Sequence, residues 1–221
     1  MKKVNKVKKI DKFTVITSLL CLVPIILGII YYQQLPENMA TQWREQNTVS
    51  NTSPKWLTIF GIPVIMAGVN LILNFAAQND PKKENINDTL SKFVRLIPVI
   101  FSWILYPVTI FMNLEHSPIN FNIEFIASLM IGIIFIVIGN YMPKSKQSYT
   151  MGIKLPWTLD DEDNWTKTHR IGGFLFMMTG FLFVINAVFW HTIWILVLAI
   201  VICIGVPIVY SYRLHRKKQN S

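Results

Sequence analysis

Long apolar stretches alternate with shorter polar ones along this chain, and the apolar stretches are too long for strands. Six of them, at 13–32, 56–77, 94–114, 123–142, 171–190 and 192–212, each hold about 20 mostly apolar residues, enough to cross ~30 Å of hydrocarbon at about 1.5 Å per helical residue. In lipid every backbone N–H and C=O needs a partner within the protein, and a helix supplies them along one segment. The predicted fold is therefore all-α, a polytopic membrane helix bundle of about six transmembrane helices. No Asp, Glu, Lys or His falls inside the six cores, and Arg95 and Glu124 sit at span ends. The first stretch follows a basic start, as a signal peptide would. It is longer than an h-region and no A-x-A site follows, so it reads as an uncleaved anchor.

Polar and helix-breaking residues inside the spans have structural roles to fill. Pro24, Pro63, Pro98, Pro107 and Pro207 distort four spans, which a bundle tolerates when the freed carbonyls find partners. Ser18, Asn70, Asn74, Ser102, Thr109, Asn140 and Asn186 are candidates to tie helices together by hydrogen bonds. Cys21 and Cys203 lie in spans and read as small packing residues.

Composition agrees with the pattern: 52% of residues are hydrophobic, only 15% are charged, and mean hydropathy is +0.40. The formal net charge of +9 would suit a nucleic-acid binder, but its distribution argues otherwise. Nineteen of the 21 lysines and arginines flank the spans on one side: the 1–12 tail, the connections after spans two and four, and the 213–221 tail. Arg44 and Lys55 are the two exceptions. By the positive-inside rule both termini face the cytoplasm. Attraction to the lipid bilayer's anionic headgroups accounts for the flanks without direct nucleic-acid binding. Trp43, Trp56, Trp157, Trp165, Trp190 and Trp194 fall in or beside connections, as interfacial anchors do, and only Trp103 lies mid-span.

The chain divides into a basic tail, 1–12; a three-span region, 13–114, with an external loop at 33–55; a second three-span region, 115–212, with a cytoplasmic loop at 143–170; and a basic tail, 213–221. The four histidines are scattered, and no metal-binding, nucleophile-elbow or phosphate-cradling motif is present. Catalytic residues, metal ligands and cofactors are accordingly assigned none, and the chain reads as no enzyme.

The 143–170 loop is the most patterned polar segment. Gly152 and Pro156 bracket a stretch that cannot be helical across Pro156, because the proline pushes Leu155 to extended geometry. Thr158 and Asp161 match a capping box, and Asp160 to Asp163 place negative charge in a first helical turn. Asp163 and Lys167 pair at i, i+4. A short interfacial helix is predicted over 159–170, with Trp165 and His169 on one face. Gly172 and Gly173 then allow a bend or a close packing. For Trp157 and Trp165 two readings stand, anchoring and recognition; for His169 a satisfied local hydrogen bond stands beside a sensing role.

As written, GIKLPWTL followed by W-T-K-T-H-R-I-G-G resembles the signature of the SdpI family of bacterial membrane proteins. It departs at Ser148, Lys154 and Leu155, where Asn, Arg and Thr are commoner. Leu35, Pro36, Trp43 and Lys55 resemble the N-terminal region typical of that family, often described as a domain of unknown function. There Gln42, Asn47 and Ser50 stand where His, Gly and Asp are usual. Asn tolerates the left-handed conformation for which the Gly is needed.

The resemblance implies immunity to a membrane-active peptide toxin in the cell membrane. Leu35, Pro36, Trp43 and Lys55 would meet the toxin at the outer face. Gly152, Pro156, Trp157, Thr158, Trp165 and His169 would meet a small DNA-binding repressor at the cytoplasmic face. The alternative class is a small-molecule or lipid transporter, which would need a polar cavity between spans.

Overall fold

The computed structural model describes residues 11–44, 47–116, 122–189 and 192–220. Among the described residues six helical stretches are long and apolar enough to cross a bilayer, as the pattern predicts. The protein is a polytopic helical membrane protein. The first span is broken: α1 (Lys12–Leu22) stops ahead of Pro24 and α2 (Ile25–Ile30) resumes. A hairpin of β1 (Asn38–Trp43) and β2 (Val49–Pro54) follows, and a π-helical turn over Leu57–Gly61 leads into α3 (Ile62–Gln78). Next come α4 (Asp88–Met112), α5 (Ile123–Tyr141), the short α6 (Pro156–Asp160), α7 (Glu162–Phe189) and α8 (Ile193–Gln219). Trp190, assigned above to an interface, and most of the 1–12 tail lie outside the described residues.

Contacts group the chain into two compact units, 1–79 with 92–123, and 80–91 with 124–221. In the first unit the prolines dictate the polar contacts. A proline removes one N–H and pushes the preceding turn open, leaving carbonyls three and four residues back without donors. Behind Pro24 these are Cys21 and Leu20; Ser102 Oγ donates to the first (2.7 Å) and Trp103 Nε1 to the second (2.9 Å). Behind Pro63, Tyr106 Oη donates to the Ile59 carbonyl at 3.1 Å, in space that Gly28 leaves open. Behind Pro98, Asn70 Nδ2 donates to the Arg95 carbonyl at 2.7 Å. Three of these four donors stand on α4 within two turns of one another.

A polar seam joins α1 to α3. Asn70 Oδ1 accepts from Thr17 (2.9 Å) and Ser18 (3.0 Å), Asn74 Oδ1 accepts from Thr14 (3.0 Å), and Gln78 Nε2 donates to Thr14 (2.7 Å). Arg95, expected at a span end, lies two turns inside α4. Its guanidinium bonds Asn74, Thr14 and Asp11 and stacks over Phe13 at 4.5 Å. Asp11 also caps α1 through the Thr14 N–H, at 2.8 Å. Among the described residues no buried side-chain nitrogen or oxygen lacks a partner. Of the other helix-tying candidates, Thr109 bonds its own helix at Leu105, and Asn186 accepts from the Thr192 N–H just before α8.

In the second unit α5 and α7 meet through paired glycines. A β-carbon on Gly139 would fall 2.7 Å from the Gly173 carbonyl oxygen, and one on Gly132 would fall 2.8 Å from that of Gly180. Each helix spaces its pair by seven residues, two turns, so both contacts lie on one face. With no hydrophobic drive between helices in lipid, such close backbone approach supplies the association through van der Waals packing. Phe135 stacks on Phe176 and Phe183, with centroids 5.0 and 5.8 Å away, beside this seam. Gly173 is thus a packing residue rather than a bend.

Three stability measurements follow. Gly139→Ala should lower the melting temperature in detergent by several degrees, because the obstructing atoms are backbone. Gly205→Ala, with nothing within 4 Å, should be neutral or stabilise the protein by up to ~1 kcal/mol. Tyr106→Phe should cost ~1 kcal/mol by stranding the Ile59 carbonyl; a neutral result would remove the proline-capping role of α4.

Candidate functional site

The hairpin is built from its base outwards. Leu35 and Met39 are buried against Ile59, Tyr106 and Ile110, so β1 lies on the core of the first unit. Asn113, directly after α4, accepts from the Ala40 N–H (2.7 Å) and donates to the Ala40 carbonyl (2.9 Å). One side-chain amide thereby stands in for a third strand on the edge of β1. On β2 the Thr52 N–H is taken by Asn51 Oδ1 at 2.9 Å, and Pro54 has no N–H. Both edges are therefore blunted against a further strand.

Lys55 is buried, its Nζ 2.9 Å from Glu37 Oε1 and 4.9 Å above the Tyr32 ring. At the turn Asn47 takes φ 59°, as its substitution for glycine predicts, and its Oδ1 accepts from the Ile123 N–H at 3.2 Å. Of the four residues singled out in this region, Leu35 and Lys55 are supports. Pro36 is exposed, and half-buried Trp43 pairs across the strands with exposed Val49.

The 143–170 loop folds as one hydrogen-bonded platform. The Trp165 and His169 rings stack with centroids 3.9 Å apart, and both are buried. Trp165 Nε1 donates to the Ser145 carbonyl at 2.8 Å. His169 Nε2 accepts from the Ile153 N–H at 2.9 Å while Nδ1 faces the Trp165 carbonyl at 2.8 Å. Those partners require the neutral ring with its proton on Nδ1. Gly152 lies over the pair at φ 113°, and a β-carbon there would meet the Trp165 ring at 2.8 Å. Glycine is needed at that position on both counts.

The helix geometry corrects the expectation in three respects. Thr158 is at the third helical position, and its Oγ1 accepts from the Leu155 N–H at 2.9 Å, so the capping box joins 155 to 158. Asp161 instead opens the next helix by accepting from the Asp163 N–H at 3.0 Å. That helix runs without interruption from Glu162 into the fifth span, in place of a separate helix over 159–170. Trp165 and His169 do share a face, but it points into the protein. Trp165 is therefore held by protein rather than by headgroups.

Four supporting residues carried no signal of their own in the sequence. Asp80, buried after α3, accepts from Ser148 Oγ and the Thr150 N–H, both at 2.7 Å. Burial pushes its carboxyl up, but the bonds donated by Thr150, Ser148 and Lys82 outweigh this and hold it below the usual range. Gln147 bonds the Thr158 carbonyl (3.0 Å), Lys82 Nζ (2.9 Å) and Asn85 Nδ2 (2.9 Å). Asn164 and Ser211 bond each other twice, at 3.0 and 2.9 Å, and Thr168 adds a third bond at 3.0 Å. Trp157 Nε1 donates to Ser211 Oγ at 2.7 Å, which pins Pro156–Asp160 to α8. Asn164 and Thr168 do sit at i, i+4 beside Trp165, which is the one hint available.

Comparison with known proteins matches this platform. Residues 144–211, from the loop to Ser211, fit the SdpI/YfhL protein family, and residues 19–67, including the hairpin, fit a domain of unknown function, DUF1648. Over that segment the chain is similar to the SdpI family. It is similar to the Immunity protein SdpI of Bacillus subtilis (strain 168), 28% identical over 212 residues, covering 95% of this chain and 99% of the relative. No solved structure matches it. The SdpI signature residues Gly152, Thr158, Trp165 and His169 are thus brought together, with Trp157 directed at α8 and Pro156 exposed.

Asp80→Asn tests the platform. The folded-state carboxyl is depressed, so its stabilisation is full above the ordinary aspartate value of 3.8 and is lost as pH falls through the folded value. The melting temperature of the wild type should exceed that of Asp80→Asn by a constant margin above about pH 5, and the margin should shrink towards about pH 3. A margin independent of pH would assign the effect to side-chain shape alone. Thr158→Val should cost ~1–3 kcal/mol by leaving the Leu155 N–H unpaired, and Thr158→Ser should restore most of it.

Proposed function

We propose that this protein is an integral membrane immunity protein that binds a membrane-active peptide toxin at the outer face of the cell membrane. Neutralisation is stoichiometric and changes no bond in the toxin. The observation that carries this reading is the hairpin. It is buried at its base, clamped by Asn113 and blunted at Ala40, Thr52 and Pro54, and it presents Pro36, Trp43 and Val49. With its edges blunted, contact runs through side chains. In the same reading the basic flanks place the hairpin outside and the 143–170 platform inside. The platform is the element that relays toxin presence to a small DNA-binding repressor. Gly152, Thr158, Trp165 and His169 shape it, while its less buried side chains, half-buried Trp157 among them, make the contact.

Expression in a toxin-sensitive host should raise survival, with the toxin recovered intact; cleaved or modified toxin would overturn the binding mechanism. Trp43→Ala and Pro36→Ala should reduce protection at unchanged protein level. Lys55→Ala should reduce both together, because Lys55 supports the fold. Equal loss of protein in all three variants would remove the hairpin as the contact.

Orientation is tested by thiol labelling, with Cys21 and Cys203 buried in the background. Gln42→Cys should label in intact cells, and Tyr149→Cys and Lys217→Cys only after permeabilisation. External labelling at 149 would invert the topology and the roles assigned to the two faces.

A further inference from the structure

Beyond Ser211, α8 continues as residues 212–219, and this segment touches the platform along one stripe. Tyr212, His215 and Lys218 recur every three residues and so share a helix face. Tyr212 meets the Trp157 ring edge-on at 5.6 Å, and His215 stacks on it at 5.7 Å with 23° between the planes. Lys218 Nζ lies 2.8 Å from Asp161 Oδ2, which holds the Asp161 carboxyl below its usual range. Both partners, Trp157 and Asp161, belong to the start of the signature helices.

The contacts on either side of Ser211 differ in kind. Ser211, Asn164 and Thr168 are at most 1% exposed, and their bonds are sheltered from water. Tyr212 is 45% exposed and the Lys218 side chain 58%, so the ion pair is screened and the ring contacts are half solvated. The helix is firmly held up to Ser211 and lightly held after it.

We infer that residues 212–219 act as a releasable strap, which occupies the Trp157 face of the platform in cis and excludes a partner from it. The occupant states the chemistry that the face accepts: a helical segment carrying two rings and a cation at successive three-residue steps, that is, a basic, aromatic-bearing helix. The inference rests on the reading that the platform is partner-facing, and adds how that face is regulated.

The test uses a synthetic peptide of residues 211–221 as the probe, with the protein in zwitterionic nanodiscs so that anionic lipid does not draw the peptide. A variant ending at Ser211 keeps the buried clasp and should bind the peptide at least tenfold more tightly than the full chain. Trp157→Ala in that shortened variant should abolish binding. Equal binding by full and shortened chains would overturn the strap.

A second measurement needs no truncation. Trypsin cleavage after Arg213 and Arg216 in the full chain should accelerate severalfold with Lys218→Glu or with raised salt, and stay at the wild-type rate with Lys218→Arg. Cleavage indifferent to Lys218→Glu would also overturn it. Neither measurement contains toxin or repressor. Failure here leaves the immunity reading standing, and failure of immunity leaves these results interpretable.

Discussion

A carbonyl oxygen without a donor costs several kilocalories per mole in hydrocarbon, where no water substitutes for the missing bond. That constraint organises the first unit of this protein. Three prolines open the backbone of three spans, and in each case a polar side chain of a neighbouring span closes the gap. Ser102, Trp103 and Tyr106 of α4 serve two of these breaks, and Asn70 of α3 serves the third, in α4 itself. The prolines and their donors thus specify which helices are neighbours and at what height. Apolar packing against lipid-like surroundings cannot do this alone.

The same accounting shapes the hairpin. A two-stranded sheet has two open edges, and an isolated hairpin is marginal in water. Here Asn113 satisfies one edge, Asn51 and Pro54 blunt the other, and Met39 secures the base in the apolar core. The result is a projection whose backbone edges are blunted at Ala40, Thr52 and Pro54. Specificity is left to Pro36, Trp43, Val49 and their neighbours.

The platform shows how a chemically quiet motif is built. Its histidine is not arranged to gain or lose a proton, since both ring nitrogens already have partners that require the neutral ring. Its tryptophans are buried at one point and covered at another: Trp165 is sealed beneath Gly152, while half-buried Trp157 lies between Ser211 and the last turns of α8. Asp80 brings a connection seventy residues earlier in the chain onto the same loop. The motif is therefore a folding unit first, and the surface it presents depends on what rests against Trp157.

Much of this was legible in the residues themselves. Six apolar stretches determined the number of spans, because a bilayer imposes one length on every crossing element. The left-handed Asn47, the close-packing Gly173 and the shared face of Trp165 and His169 followed from local geometry and helical spacing; that this face turns inward did not. What escaped were contacts between residues far apart in sequence. Thr158 was assigned the wrong end of its capping box because Asp161 offered an equally good local partner. Asp80, Gln147 and Asn164 looked like ordinary connection residues, and Ser211 like the end of a span. Arg95 looked like a flank until Asp11 and Asn74 appeared beside it. Local pattern decides which segments enter the membrane and how each begins and ends. Which polar side chain meets which stranded backbone group is decided only when the helices pack, because that pairing depends on height and rotation that no single segment carries.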